Sequence, residues 1–330
     1  MFLFTFVIKK LEYHWGDNRR YNSFSGWCKK RFGQRIQKVS INAGFSCPNR
    51  DGKISTGGCT FCNNEAFNPV SSYSEKGESV TSQINKGLLF LKERYKRAAM
   101  FVAYFQAYSN TYKSLDELKI VYSEALKHPD ISGIVVGTRP DCIDVEKLKY
   151  LKELSKEYFV SIEYGVESCY DKTLNLINRG HDFQTSVKAI KQTSEMGIHT
   201  GAHFIIGLPG ETKAEILNQI PVISELPLNS LKFHQLQIVK DTKIADQYLQ
   251  NPKDFMFFEL PEYVDFMVDI IERLNPSIAI ERLSGEVPPR FNLGKRWGLI
   301  RSDQIIKMIE KRLEERNTWQ GKLYNKEIVG

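Results

Sequence analysis

Six short apolar runs, alternating with helical stretches of ten or more residues, constrain the fold of this chain more than any other feature. The runs cover 36–41, 100–105, 133–137, 159–165, 199–206 and 231–239. The run 100–105 is continuously apolar, which suits a strand buried on both faces. Between them, 78–97, 115–127, 145–158, 183–196 and 211–226 carry apolar residues at helical spacing. Strands separated by helices argue for parallel pairing, and right-handed crossovers curl such a sheet. The expectation is an α/β fold, a partial (β/α)6 TIM-like barrel spanning 36–240.

The rhythm changes on either side. Residues 262–274 read as a helix, 277–282 as a strand, 285–290 as a Pro-rich turn and 302–316 as a basic amphipathic helix. These predict a small C-terminal α+β extension over 241–330 that covers the open side of the barrel. Residues 1–35 form a basic, aromatic arm. Lys9, Lys10, Arg19, Arg20, Lys29, Lys30, Arg31 and Arg35 are interleaved with Tyr13, Trp15, Tyr21, Phe24, Trp27 and Phe32. Such an arm suits phosphates and bases, or it packs its rings on the barrel and leaves its charges in water.

Working residues of parallel barrels lie at the C-terminal ends of the strands. The first run leads into a loop rich in Gly, Asn and Asp that holds Cys47, Cys59 and Cys62, with Gly57 and Gly58 just before Cys59. Three thiols on one loop need a reason. Structural zinc wants four ligands, and no fourth Cys or His is near in sequence. A disulfide with one cysteine over needs an oxidising compartment. An iron–sulfur cluster with three protein ligands accounts for the odd number, because one iron stays open to an exogenous ligand.

The other strand ends are polar. Gln106 to Thr111 follows the second run, and Gly137 to Asp141 the third. The fourth carries Glu163 and Glu167, the fifth His203 and then Gly207 to Glu211, and the sixth His234 and Gln235. Polar groups inside an apolar sheet are costly without partners, so a polar ligand filling the barrel is expected. The glycines Gly207 and Gly210 suit close backbone approach to a ligand. Singly, Glu163 and Arg139 have a plainer use as a buried ion pair, and the histidines as satisfied core residues. Cys142 and Cys169 read as packed thiols.

The composition, 42% hydrophobic and 26% charged, is that of an ordinary globular protein, and the net charge of +7 permits an anionic partner. No stretch reaches membrane-spanning length. The apolar opening 1–8 is short, runs into Lys9 and Lys10, and is not read as a signal peptide. With three of six cysteines clustered, a reducing, cytoplasmic setting is expected.

Together these motifs resemble the radical S-adenosylmethionine (SAM) superfamily. Its usual spacing is C-x3-C-x2-C; here it is C-x11-C-x2-C. The stretches 43–52 and 57–63 resemble the YhcC-like branch, related to the radical domain of Elongator-type tRNA enzymes. Gly137 to Asp141, Asn178 to His181 and Gly207 to Glu211 match that relationship. The resemblance spans about residues 12–320. It implies that Cys47, Cys59 and Cys62 hold a 4Fe–4S cluster whose open iron takes the amino and carboxylate groups of SAM. Arg179 would meet the methionyl carboxylate, Glu167 and His203 the ribose, Phe61 the adenine, and Gln106 the region of the methionine amine. Glu163 and His234 are expected to face the cofactor from the barrel interior.

The implied chemistry is reductive cleavage of SAM to a 5′-deoxyadenosyl radical that abstracts hydrogen from the substrate, with electrons from a donor such as flavodoxin or ferredoxin. The kinship and the basic arm favour tRNA as substrate, at the side chain of a wobble uridine. The alternatives are a radical reaction on a small molecule or peptide, and a non-catalytic iron–sulfur or zinc protein that binds RNA.

Overall fold

The computed structural model describes residues 12–67, 77–94, 100–294 and 297–325. The opening 1–8, Lys9 and Lys10, and the last residues of the first expected helix (95–97) lie outside the described residues. Seven strands stand side by side in chain order: β1 (Ile36–Ile41), β2 (Met100–Phe105), β3 (Ile131–Thr138), β4 (Phe159–Glu167), β5 (His199–Ile206), β6 (Ser230–Gln235) and β7 (Ala279–Arg282). Every neighbouring pair is parallel. Parallel neighbours need crossovers, and the helices supply them. They are α1 (Phe24–Phe32), α2 (Asn64–Phe67), α3 (Val80–Arg94), α4 (Leu115–Leu126), α5 (Val145–Leu154), α6 (Asp171–Leu176), α7 (Phe183–Glu195), α8 (Lys213–Ser224), α9 (Lys243–Gln250), α10 (Leu260–Arg273) and α11 (Ser302–Glu315). The result is the expected α/β partial barrel.

Local sequence sets the helix ends. Ser114 with Glu117 and Thr212 with Glu215 form capping boxes that start α4 and α8, and Asp144 and Asp182 cap α5 and α7. The caps of α4, α5 and α8 follow the loops after β2, β3 and β5, so those loops open on the same face of the sheet, while the cap of α7 comes after α6. β2 is buried at all six positions, as a strand covered on both sides must be.

Two expectations need correcting. The strand assigned to the C-terminal extension is the seventh strand of the barrel sheet, pairing β6 in parallel. The sixth run ends as a strand at Gln235 rather than at Val239.

The described part of the arm, from residue 12, is largely a plug. The α1 rings Phe24, Trp27 and Phe32 pack against Phe159 and His199, the first residues of β4 and β5. That is the end of the sheet opposite the cysteine loop. Lys29, Lys30, Arg31 and Arg35 face water there. The buried Gln320 side chain ties the arm to the extension, accepting from Asn22 N (2.9 Å) and donating to Asn275 O and Ile278 O (2.9 Å each). Arg312 and Arg316 of α11 pair with Asp265 and Asp269 of α10 (2.5 and 2.8 Å). No described helix is long and apolar enough to cross a membrane.

Candidate active site

The loop after β1 folds back on itself. Ile54 N donates to Pro48 O (2.8 Å), Gly58 N to Asn49 O (2.7 Å), and Asp51 bridges Thr56 in antiparallel fashion. Gly57 and Gly58 both hold left-handed backbone (φ 83 and 84), which side-chain-bearing residues rarely adopt in succession. This turn returns Cys59 to the neighbourhood of Cys47. Asn49 Nδ2 lies 3.5 Å from Cys59 Sγ, and Asn64 Nδ2 lies 3.6 Å from Cys62 Sγ.

A second loop, after α6, clamps the first. Asn178 Nδ2 donates to Gly58 O (2.9 Å) and Ser55 Oγ (3.2 Å), while Asn178 O accepts from Asn49 Nδ2 (2.5 Å). Thr60 N donates to Ile177 O (2.9 Å). Arg179 then reaches inward. Its Nη1 lies 3.4 Å from Cys59 Sγ and its Nη2 2.5 Å from Gly165 O. The Glu167 carboxylate stands 3.7 Å from the same guanidinium. Glu167 has a left-handed backbone (φ 74), and the β4–β5 register slips between Gly165 and Glu167. Such a bulge re-aims a side chain at a strand end. A Cβ on Gly165 would lie 2.5 Å from Glu167 Oε1 and 2.9 Å from Arg179 Nη2, so glycine keeps this corner open.

Cys47, Cys59, Cys62, Phe61, Gln106, Glu163, Glu167, Arg179, His203 and His234 all line one cavity of about 1280 Å³ at the C-terminal ends of the strands. Deeper in the barrel lies a buried charge network. Glu163 accepts from Lys38 (2.5 Å), Lys232 (2.5 Å) and His203 Nε2 (3.0 Å). Glu281 takes the same two lysines at 2.5 and 3.1 Å. Tyr104 lies under both ammonium groups, each 4.9 Å from its ring centre. The Lys38–Glu281 pair also joins β1 to β7, the two edges of the open sheet.

The electrostatics follow from burial and these partners. Burial would raise the Glu163 carboxyl, but Lys232 and Lys38 hold it well below the usual range. Burial raises Glu167 against the pull of Arg179. Burial keeps His203 and His234 neutral, helped by the positive charges of Lys232 and Arg282 respectively. Burial lifts the Cys47 thiol, and lifts that of Cys62 to about 11 with Cys59 beside it. Bare thiolates are therefore disfavoured here until a metal takes the place of the proton.

The residues fit an iron–sulfur cube. Among the described residues no three His, Cys, Asp or Glu side chains converge to share a single metal ion. A cube asks for less, because each cysteine meets a different iron. Beside the thiols, Arg139 Nη1, Arg179 Nε and Asn49 Oδ1 are buried with no hydrogen-bond partner, although Arg139 is otherwise held by Asp141 (2.7 and 2.8 Å). The two orphaned guanidinium donors at one edge of the cavity are what an absent anionic group leaves behind, whereas Asn49 Oδ1 is an acceptor.

Comparison with known proteins decides the family: the model of the radical SAM superfamily matches residues 48–219. The chain belongs to the radical SAM superfamily. The radical SAM C-terminal domain matches residues 228–315. Protein YhcC of Escherichia coli (strain K12) is 35% identical over 292 residues, covering 86% of this chain and 92% of its own. YtqA of Bacillus subtilis is 29% identical over 308 residues, 93% of this chain and 94% of its own. The tRNA uridine(34) acetyltransferase of Methanocaldococcus infernus is 22% identical over 174 residues, 52% of this chain and 32% of its own. The structure of the archaeal Methanocaldococcus infernus Elp3 with an N-terminal deletion has a TM-score of 0.62 at 12% identity, a likeness of fold. It covers 86% of this chain and 64% of that chain. This is thus a radical SAM enzyme of the YhcC-like branch, which uses a 4Fe–4S cluster and SAM.

Within this radical SAM barrel several sequence readings change. Glu163 does not pair with Arg139; both its oxygens are taken by Lys38, Lys232 and His203. Gly207 and Gly210 do not line the cavity. A Cβ on Gly207 would meet Met256 O at 3.3 Å, so the close approach there is to backbone. Buried Glu211 braces the end of β4, accepting from Ser168 Oγ (2.5 Å) and Gln219 Nε2 (3.0 Å). Sequence reading does not single out Lys38, Lys232 and Glu281 as site residues, and it names Asn178 as part of a motif without its hold on the cysteine loop. Lysines within apolar strands were the available signal for the first two.

Proposed function

We propose that Cys47, Cys59 and Cys62 hold the 4Fe–4S cluster, and that SAM lies between it and Arg139, Arg179 and Glu167. The substrate we assign is tRNA, at the side chain of a wobble uridine. One observation carries the site assignment: three thiols and the partnerless donors of Arg139 and Arg179 share a single cavity. Support for tRNA comes from the fold likeness to Elp3 and from relatives that include a tRNA uridine(34) acetyltransferase.

The cluster, when bound with SAM, supplies one-electron cleavage of the sulfonium and a carbon radical that takes hydrogen from the substrate. The chain does the rest. Arg179 Nε and Arg139 Nη1 offer charge-assisted hydrogen bonds to the methionyl carboxylate. Glu167, fixed by its bulge, turns two oxygens toward vicinal ribose hydroxyls. Phe61, between two cysteines, offers its ring to the adenine, and Gln106 meets the methionine amine. Glu163 acts at one remove, holding His203 and the floor of the site. Ile205, Leu236 and Phe257 line the wall and exclude water and competing hydrogen donors.

The test is anaerobic reconstitution with iron and sulfide, then dithionite and SAM, with 5′-deoxyadenosine as readout and Cys62→Ala as control. Deoxyadenosine is expected from the parent and not from the variant, and bulk tRNA from a deletion strain is expected to show an altered uridine nucleoside. A full cluster that yields no deoxyadenosine with or without tRNA would refute the site assignment. Unaltered tRNA nucleosides would remove the substrate.

A further inference from the structure

One wall of the cavity is built by residues 281–290, 292, 297–302, 305 and 306. Three arginines line it: Arg282 at the end of β7, Arg290 in the proline turn, and Arg301 just before α11. Alternation along a strand would send Glu281 and Arg282 to opposite faces. Here the register slips, pairing Leu231 with Ile280 and Lys232 with Arg282, and both residues line the cavity.

These arginines differ from others in the chain. Arg139, Arg179, Arg312 and Arg316 each face a carboxylate. Among the described residues, Arg282, Arg290 and Arg301 form no ion pair with a carboxylate, and Arg290 lies over the Phe291 ring at 4.9 Å. The carboxylates on their own wall are committed elsewhere. Glu281 takes Lys38 and Lys232, and Glu286 accepts from the backbone N–H of Ser302. Three guanidinium groups therefore face one cavity with no ion pair among the described residues, and the Glu286 carboxylate, held by a backbone N–H, stands on the same wall.

Guanidinium forks match phosphate oxygens, and unpaired cations along a groove are the footprint of a polyanion. The cavity volume of about 1280 Å³ exceeds the roughly 300–1,000 Å³ of ordinary small-molecule pockets, which leaves room for a second ligand beside SAM. We propose that Arg282, Arg290 and Arg301 receive the phosphates of a single-stranded RNA segment whose reacting nucleoside enters toward the cysteine loop. Phosphate contacts of this kind position a strand without reading its sequence. The inference rests on the tRNA reading and assigns its docking to this wall. It also moves RNA contact away from the basic arm, whose Lys29, Lys30 and Arg31 lie at the far end of the sheet.

The test is the salt dependence of tRNA binding, read by fluorescence anisotropy with the cluster-loaded enzyme between 50 and about 200 mM salt. Each lost single-strand phosphate contact should lower the slope of log K against log salt by about 0.7. The triple variant R282Q/R290Q/R301Q should lose about 2 from the slope, and R290Q or R301Q about 0.7 each. The triple lysine variant should keep the parental slope, and cluster absorbance reports that each variant is folded. K29Q/K30Q/R31Q should bind as the parent does. A slope that survives in the arginine variants, or falls in the arm variant instead, overturns this docking while leaving the tRNA reading in place. A parent that binds neither tRNA nor single-stranded RNA overturns both, while deoxyadenosine formation still reports the radical chemistry.

Discussion

Glu163→Ala separates a structural carboxylate from a cofactor ligand. The side chain is 2% exposed and neutralises Lys38 and Lys232, which are 17% and 3% exposed. Without it, two ammonium groups share the single carboxylate of Glu281, leaving one uncompensated positive charge inside the barrel. Removing one partner of a buried pair costs about 3–5 kcal/mol, since the charge left behind has lost both water and partner. With a urea m-value of about 3 kcal/mol/M, the unfolding midpoint should fall by about 1–1.7 M. Adding Lys232→Met restores one lysine to one carboxylate, and the double variant should regain about 1–3 kcal/mol. Urea unfolding followed by circular dichroism measures all three proteins. A single variant within about 1 kcal/mol of the parent, with SAM affinity lost instead, would refute the reasoning and return Glu163 to the cofactor.

Three further outcomes are expected. Burial among Phe24, Trp27 and Phe159, with Lys38 adding to it, lowers the pKa of His199 to about 4. Its contribution is intact above its unfolded pKa of about 6.5 and is lost as pH falls, by about 2 kcal/mol at pH 5. His199→Phe should flatten that acid limb between urea midpoints at pH 7 and pH 5, and an unchanged limb would count against it. Asn178→Ala removes two donors from the cysteine loop, at about 1–3 kcal/mol, and should lower iron content after reconstitution with the fold intact. Full iron content would show that the clamp is dispensable. Gly165→Ala places a methyl group against Glu167 and Arg179 and should weaken SAM binding by about tenfold, roughly 1.4 kcal/mol, without loss of cluster absorbance. An unaltered SAM affinity would move SAM away from this corner.

β2 was legible because burial on both faces leaves a continuous apolar run, and both β2 and β5 begin and end where the sequence places them. β7 was harder to read. Four residues long, it owes its place to β6 rather than to its own pattern, and propensity carries no record of a neighbour. The site residues share one cavity because strand ends of a parallel sheet share one face, so position along the strand pointed to Glu163, Glu167, His203 and His234, whereas Arg179 and Phe61 came from the family resemblance. Their partners were another matter. Lys232, Lys38 and Glu281 meet across the barrel from β6, β1 and β7, and the curvature that unites them is a property of the whole sheet. The arm was ambiguous for a related reason: alternating rings and charges read equally as an RNA surface or an amphipathic plug.

The cysteine spacing shows how sequence distance can mislead. Eleven residues between Cys47 and Cys59 suggest a loose site, yet the spacer consumes its own length by pairing Pro48 with Ile54 and Asn49 with Gly58. What remains to fix is the angle at which this turn meets the barrel, and the second loop fixes it. Asn178 holds the turn while Arg179, the next residue, reaches Cys59 across 120 positions of chain. One dipeptide therefore aligns the thiol loop and presents a buried cation beside it. The thiols and the cation cannot drift apart independently, because the same two peptide units position both. A longer spacer is then tolerable so long as its ends stay paired, which makes the Asn178–Arg179 pair, rather than the number of residues between cysteines, the determinant of the site.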